Sequence, residues 1–493
     1  MTGTEPVRRM EMSWFGIAYL PELIPSEVAS HPDIKTRRYA VIGAGSAGLC
    51  AVRYLKKAGA EHVTCYEIGT KIAGMWCYEN DAGTSSAYKS LHINTARAIT
   101  RYSDMPLPSD VQDFPDHANM YEYFVRYAEQ NDLMRHIRFR SRVTDVRRAP
   151  DYSDSAPRWR VKTENGSVDD YDCVIVASGH LWDPWHVEEF RKNFAGRYMH
   201  ANAYRKPEDF VGQRICVVGA ANSAFDVSSD VCVTAERTVI VARSGVLVHP
   251  KSAFGYPFRE ILLQLDRRWI PDWVRYKITN FMTYLMHGDM AKLGFKPQTR
   301  RQLAVSNGTL AAHIKERRIE VKHGIERIEG KRIFFVDGSS GEFDTLIAAT
   351  GYRLGLSFIP QDVVPNDGLN LNLYKRIVQP GQLGLYFLGF ANPTVTSVML
   401  FEYQMHWILA FDSGQAILPE PDEMATDIEA KKSALRARYA DAQRYTLVEP
   451  HVVYFPQLER SRREGEARTR TRSPQRLGSR PASGVAERSA QSV

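Results

Sequence analysis

Residues 39–48, Tyr-Ala-Val-Ile-Gly-Ala-Gly-Ser-Ala-Gly, decide the fold of this chain. An apolar strand, Tyr39–Ile42, runs into Gly43-x-Gly45-x-x-Gly48. A helix pattern begins at Ser46, and the next strand, His62–Glu67, ends in an acid. Each glycine answers a separate need: Gly43 the tight turn, Gly45 the close approach of a pyrophosphate, Gly48 close contact between helix and strand. The helix N-terminus at Ser46 offers backbone N–H groups and partial positive charge to the phosphates. Residues 215–224, Ile-Cys-Val-Val-Gly-Ala-Ala-Asn-Ser-Ala, repeat the design around Gly219. Asn222 and Ser223 open the second helix, and Arg243 closes the second strand. Ala224 at the third glycine position is an accepted variant, whereas Ala221 puts a methyl group where the pyrophosphate approaches.

Glu67 and Arg243 each lie 24 positions past the first glycine of their turn. That is where a βαβ unit meets the ribose of a dinucleotide. A carboxylate there accepts from free hydroxyls and repels a 2′-phosphate, and an arginine fork does the reverse. The first turn therefore reads as a site for FAD or NAD and the second as a site for NADP, which makes the chain a two-nucleotide redox enzyme. Against this stands a second unit that folds as βαβ and binds nothing; Arg243, at a strand end where it has an evident job, favours the nucleotide.

At 493 residues the chain is long enough for two or three domains with well-buried cores, and 44% hydrophobic with 25% charged residues is an ordinary soluble composition. The six cysteines (50, 65, 77, 173, 216, 232) show no C-x-x-C or metal-type spacing. They read as buried free thiols, with no metal site. The paired redox cysteine that disulfide reductases need beside the same two nucleotide units is missing. The net charge of +7 sits mostly in residues 459–493, with nine arginines against four glutamates. The body is near neutral, which does not argue for a nucleic-acid partner, and the tail reads as disordered. No run approaches the roughly 18 apolar residues of a membrane span, and no signal peptide is visible, so a cytoplasmic enzyme is expected.

The expected fold class is α/β: a two-dinucleotide-binding-domain flavoprotein, with a doubly wound Rossmann-like FAD domain and an inserted NADP domain. The expected domains begin with an N-terminal extension (1–37, with a helix near Pro25–Ala29) and a first FAD-binding segment (38–210). An NADP domain (211–344) with a helical insertion at about 255–300 comes next. A second FAD-binding segment (345–455) and a disordered tail (456–493) follow. Within the first FAD-binding segment, residues 120–131 have helical spacing. Arg142–Arg148, Arg158–Thr163 and Tyr171–Ala177 read as strands of a meander, broken at Asn165-Gly166. In the insertion, Pro271 opens and Gly288 closes a helix carrying Trp273, Val274, Ile278, Phe281, Met282 and Leu285. Such a face packs on the core or on a second copy in a homodimer, rests peripherally on a membrane, or covers substrate.

Phe194-Ala-Gly196-Arg-Tyr-Met-His200-Ala-Asn-Ala-Tyr204 fits the F-x-G-x-x-x-H-x-x-x-[YF] signature, placed just before the second nucleotide unit. With Gly74-Met-Trp76, Leu91-His-Ile-Asn94-Thr, Val176-Ala-Ser-Gly179-His180, Asn222-Ser223 and Ala349-Thr350-Gly351-Tyr352, it makes residues 38 to about 455 resemble the flavin-containing monooxygenases. The related Baeyer–Villiger enzymes carry tryptophan where Tyr204 stands. The resemblance implies FAD and NADPH/NADP⁺ as cofactors, and O2 and a small organic molecule as substrates. In the implied mechanism NADPH reduces the flavin, oxygen adds at the flavin C4a carbon, and NADP⁺ stays bound; the cofactors carry the chemistry and the protein supplies position and dryness. It implies cofactor contacts at Gly74, Trp76, Gly179, Thr350, Gly351 and Gln404, and a catalytic role for Asn94 beside flavin and oxygen; a turn-capping asparagine is the plainer reading of that residue. His406 departs from the pattern, standing where an arginine is expected. N- or S-oxygenation is the leading expectation. Baeyer–Villiger oxidation, an uncoupled NADPH oxidase and a flavin-binding scaffold or redox sensor are the alternatives.

Overall fold

The computed structural model describes residue 28 and residues 31–265, 270–297, 305–438 and 447–472. The expected Pro25–Ala29 helix lies largely outside them. The first unit is β1 (Arg38–Ile42), α1 (Ser46–Lys57) and β2 (His62–Tyr66). It is followed by α2 (His117–Gln130) and β3 (Ile137–Arg138). An antiparallel meander of β4 (Val143–Arg148), β5 (Trp159–Thr163) and β6 (Val168–Tyr171) comes next, and β7 (Cys173–Val176) returns beside β1.

After β8 (Arg197–His200), the second unit repeats the same sequence of elements. It consists of β9 (Arg214–Val218), α3 (Asn222–Val231) and β10 (Arg237–Val241), then the inserted helices α4 (Phe258–Leu265) and α5 (Asp272–His287). α6 (Leu310–Lys315) and β11 (Ile319–Lys322) lead to a second meander, β12 (Ile325–Glu329), β13 (Arg332–Phe335) and β14 (Ser340–Glu342), and β15 (Thr345–Ala348) returns beside β9. The chain ends with β16 (Leu385–Phe387), α7 (Ser397–Asp412), α8 (Pro421–Arg438) and α9 (His451–Arg472). Two five-stranded parallel sheets result, in the orders β16-β7-β1-β2-β3 and β11-β10-β9-β15-β8. Their central strands are buried on both faces and therefore read as continuous apolar runs, Cys-Val-Ile-Val in β7 and Ile-Cys-Val-Val in β9.

Three expectations need correction. The run Tyr171–Ala177 is not the third meander strand: β6 ends at Tyr171, and β7 crosses into the parallel sheet. Asp172 separates the two, and its carboxylate accepts the Arg38 N–H at 2.7 Å. The bounds 211–344 are too narrow for the second domain's sheet, because β8 and β15 pair with each other and β15 with β9, so its edge strand is the signature segment itself. The tail expected from 456 is helical in α9 to Arg472. That helix buries Tyr454, Phe455 and Leu458 and is laced by Glu459–Arg462 and Arg462–Glu466 pairs. It packs along α7, and at Gly465 a Cβ would come within 2.7 Å of the Phe411 ring. Residues 473–493 lie outside the described residues.

Candidate functional site: two nucleotide turns bridged by a loop

The two turns are built alike. Gly43 takes φ +102° and Gly219 φ +149°, and a Cβ would lie 2.7 Å from the Ala177 carbonyl oxygen in the first and 2.4 Å from that of Ala349 in the second. In both, the glycine N–H donates to the end of the neighbouring strand, at Tyr66 O (2.8 Å) and Val241 O (3.1 Å). Only glycine combines that backbone with that closeness. In the first turn a Cβ on Gly48 would fall 1.8 Å from Gly43 O, so α1 sits directly on its strand, while a Cβ on Gly45 would meet only the backbone of Gly74, at 3.7 Å or more. Gly74 itself is at φ +54° in a short 3₁₀ turn, Gly74–Trp76, that is tied to the nucleotide turn by Ala73 N–H to Ala44 O (3.0 Å).

Glu67 is buried at the end of β2. Its carboxylate accepts the Ala44 N–H at 2.8 Å and the Gly69 N–H at 2.9 Å, so it fixes the turn before it meets any ligand. Burial raises its pKa, and the backbone donors oppose that shift. Arg243, in contrast, is exposed and makes no ion pair with any described residue. Ala221 is the N-cap of α3 in ordinary extended backbone (φ −136°, ψ −174°), so its methyl affects space and not conformation.

Neither α1 nor α3 has a side-chain cap at its N-terminus, as is also true of α5 and α6. α2 carries a full capping box of Asp116 and Asn119, and α7 is capped by Thr396. Helix N-termini leave backbone donors that need partners, and a phosphate satisfies them. Beside the first turn, Ser178 Oγ and His180 Nδ1 are buried without partners on either side of Gly179, where the space for a Cβ is open, and Asn94 Oδ1 is buried and unpaired as well. These residues fit two dinucleotides.

Asn94 lies on a loop that spans both units. Leu91 O accepts the His117 N–H (3.0 Å), and Ile93 N–H donates to Pro115 O (2.9 Å), fixing the loop to the start of α2. Upstream, Tyr88 Oη donates to Asp226 (2.7 Å), and Ser90 Oγ donates to Asp230 (2.7 Å), both acids on α3. Tyr204 Oη also donates to Asp230, and Asn307 Nδ2 donates to Asp226 at 2.7 Å.

In the signature segment, Phe194 is buried, and a Cβ on Gly196 would meet both the Phe194 ring and Asp344 O at 2.7 Å. His200 Nδ1 accepts the Asn202 N–H (3.1 Å), which leaves the proton on Nε2 to be donated to Gly351 O (3.0 Å). Burial, with neighbouring His186, lowers its pKa to about 4, so it stays neutral. Tyr204 is fully buried and stacks on Phe210. The segment is a structural joint holding the Thr350–Gly351 turn, where Thr350 Oγ1 donates to Trp185 O. Gln404, expected as a cofactor contact, meets the turn at Gly389. It is fully buried, with Oε1 accepting the Gly389 N–H (2.9 Å) and Nε2 donating to Tyr454 Oη (2.9 Å), so it shapes the turn at Gly389 from behind.

The Tyr88, Ser90, Asp226 and Asp230 network went unread in the sequence. Its signal was present, since two acids one turn apart among Phe225, Val227 and Val231 on a core helix require donors from elsewhere. Among the described residues, no group of three or more His, Cys, Asp or Glu could hold a metal ion, and no helix is long and apolar enough to cross a membrane.

Known proteins place this arrangement. The chain is 30% identical over 439 residues to flavin-containing monooxygenase 5 of Oryctolagus cuniculus, covering 86% of this chain and 82% of that one. It is 29% identical over 446 residues to flavin-containing monooxygenase 2 of Homo sapiens, with the same coverage. Its fold is similar to S-allyl-L-cysteine S-oxygenase from Allium sativum (24% identity, TM-score 0.64, 90% of this chain and 94% of that one). It is also similar to an oxidised steroid monooxygenase bound to NADP (18% identity, TM-score 0.66, 87% and 98%). The family described as flavin-binding monooxygenase-like matches residues 36–462, and the chain belongs to that family, as a flavin-dependent monooxygenase that uses FAD and NADPH.

Proposed function

We propose that the enzyme transfers one atom of O2 to a nitrogen or sulfur lone pair of a small organic substrate. The balance is NADPH, H⁺, O2 and substrate giving NADP⁺, water and the N- or S-oxide. The bound flavin supplies hydride acceptance and oxygen activation. The chain supplies the rest. Gly43, Gly45, Ser46 and Gly48 at the uncapped start of α1 cradle the FAD pyrophosphate, with Gly74, Trp76 and Gly179 around it. The remaining lone pairs of Glu67 accept from ribose hydroxyls. Gly219, Asn222 and Ser223 at the start of α3 take the NADP pyrophosphate, and Arg243 its 2′-phosphate.

The observation that carries the choice of substrate is Asn94, whose buried Oδ1 has no partner. A neutral amide oxygen accepts a hydrogen bond without adding charge, so it holds a proton on the oxygen to be transferred, the form that reacts with an electron-rich amine or sulfide. A carboxylate–arginine pair would instead suit an anion attacking a ketone. The test is a screen of amines, sulfides and ketones, with NADPH consumption and product both measured, on wild-type and Asn94→Asp enzyme. Amine or sulfide oxides are expected from wild type. Asn94→Asp should lower product formation about 5- to 30-fold, the effect of one or two kcal/mol from a charge placed beside the oxygen to be transferred, while NADPH still bleaches the flavin. Lactones or esters from ketones would favour the Baeyer–Villiger reading, stoichiometric peroxide without product an uncoupled oxidase, and unchanged product from Asn94→Asp would remove Asn94 from the mechanism.

A further inference from the structure

From the two hydrogen bonds that join the Asn94 loop to α3, we infer that Tyr88 and Ser90 are positioning residues through which NADP⁺ binding at the start of α3 orders the loop that presents Asn94. The inference rests on the roles proposed above for Asn94 and for the α3 N-terminus.

Asp226 and Asp230 lie one turn apart on the same face of α3, the helix that begins at Asn222 and Ser223. Each receives two donors. Asp226 takes Tyr88 Oη on one oxygen and Asn307 Nδ2 on the other, and Asp230 takes both Ser90 Oγ and Tyr204 Oη. Burial raises the pKa of Asp226, with Tyr88, Lys251 and Asn307 opposing the shift and Asp230 adding to it. Two like charges at this spacing repel, and the arrangement holds because the donors face them. Two of the donors, Tyr204 and Asn307, come from the second unit; Tyr88 and Ser90 come from the first. The loop is thereby bonded to the helix whose N-terminus faces the nicotinamide nucleotide.

From Ser90 to Asn94 is four residues, a reach of roughly 14 Å at full extension. Between them, Leu91 and Ile93 are bonded to the start of α2. Asn94 thus hangs from two anchors, α3 upstream and α2 alongside, and a change in the order of α3 reaches it through a short span with little slack. Thermodynamic reciprocity then requires that what NADP⁺ does to the loop, the loop's anchors do to NADP⁺ affinity. The exposed pair Lys89–Glu208, on the same loop, is a built-in control: it lies at the surface (side chains 60% and 50% exposed), where ion pairs contribute little.

The experiment is hydrogen–deuterium exchange on the FAD-loaded enzyme with and without NADP⁺, in wild type and in Tyr88→Phe, Ser90→Ala and Lys89→Ala variants. NADP⁺ affinity is measured in parallel by titration, and melting temperature checks folding. In wild type, NADP⁺ should slow exchange across residues 86–95 about tenfold. In Tyr88→Phe and Ser90→Ala that protection should shrink to less than about twofold, and NADP⁺ should bind about tenfold more weakly, the loss of one charge-assisted hydrogen bond of about 1.4 kcal/mol. Peroxide release per NADPH oxidised, from NADPH, H⁺ and O2 giving NADP⁺ and H2O2, should rise in the same two variants. Lys89→Ala should match wild type. Full NADP⁺ protection in both Tyr88→Phe and Ser90→Ala overturns the inference, and so does an equal loss in Lys89→Ala. Unchanged product from Asn94→Asp together with lost protection in Tyr88→Phe would remove Asn94's role but leave the coupling intact. Loss of product in Asn94→Asp with normal protection in Tyr88→Phe would do the reverse.

Discussion

Replacing Arg243 with alanine should erode the preference for NADPH over NADH, and the size of the effect can be worked from its setting. The guanidinium is exposed at the end of the strand after Gly219 and makes no ion pair with a described residue. By contrast, Arg214 and Arg237 on the same sheet are held by Asp344 and Glu320. An unpaired arginine has its fork available for phosphate oxygens. A phosphate monoester carries about −1.5 to −2 charge, and each unit pair about 4 Å apart contributes roughly 1 kcal/mol at the dielectric of an exposed site. The expected loss is therefore about 2 kcal/mol, or roughly 30-fold in the ratio of kcat/KM for NADPH to that for NADH. It should appear mainly in KM, and it should shrink as salt rises, because the screening length falls below about 10 Å above 0.1 M. Arg243→Lys should land between the two, keeping charge but losing the fork. The assay is steady-state NAD(P)H oxidation with both coenzymes at low and high ionic strength. A preference ratio within about threefold of wild type, or an equal loss with NADH, would refute the assignment.

Two further outcomes follow from single side chains. Glu402 is fully buried and accepts from Ser103 N–H, Ser103 Oγ and Tyr54 Oη, and burial pushes its pKa up to about 7 from the ordinary 4.5. The native state therefore holds a proton between pH 4.5 and 7 that the unfolded chain gives up, so stability falls as pH rises through that window, by on the order of 3 kcal/mol. Glu402→Gln should flatten that slope in chemical unfolding at pH 5, 6, 7 and 8, and parallel profiles for variant and wild type would refute it. Ala221→Gly removes a methyl from the second turn without asking anything of its extended backbone. NADP⁺ should bind a few-fold tighter by titration, the scale of relieving one close methyl contact, and unaltered binding would show that the methyl does not face the ligand.

Most of what was legible in the sequence was local. Gly43 and Gly219 announce turns that no other residue could make, and their 24-residue spacing picks out Glu67 and Arg243, which stand one and two positions past the observed strand ends at Tyr66 and Val241. The strands expected at Arg142–Arg148 and Arg158–Thr163 are β4 and β5, each starting one residue later. What could not be read depended on partners far along the chain. Tyr171–Ala177 reads as one apolar run interrupted by Asp172, and only the pairing of β7 with β1 separates it from Tyr171 at the end of β6. β8 joins the second sheet through β15, some 148 residues later in register from Arg197 to Thr345. α9 hid because its polar half resembles a disordered tail, while Tyr454, Phe455 and Leu458 at its start are buried. The amide of Gln404 bonds Gly389 and Tyr454, contacts 15 and 50 residues distant that no local pattern shows.

The duplicated architecture explains why the bridging loop matters. Each unit runs through βαβ, a third parallel strand and a meander, then a return strand whose following carbonyl, Ala177 or Ala349, presses on the turn glycine. Two such units, each complete in itself, have no reason of their own to hold a fixed relation. Reduction of one nucleotide by the other demands one, since reacting atoms a single ångström out of place forfeit rate steeply. The hydrogen bonds that tie the first unit to the second near the sites include Arg205 to the carbonyl of Ser85, Tyr88 to Asp226, the Lys89 N–H to the carbonyl of Arg205, and Ser90 to Asp230. All four run through residues 85–90, a few positions upstream of Asn94. A side chain that must act only when both nucleotides are in place is best hung from a segment that both units hold, and Asn94 is the polar residue of that segment left without a partner for its buried oxygen.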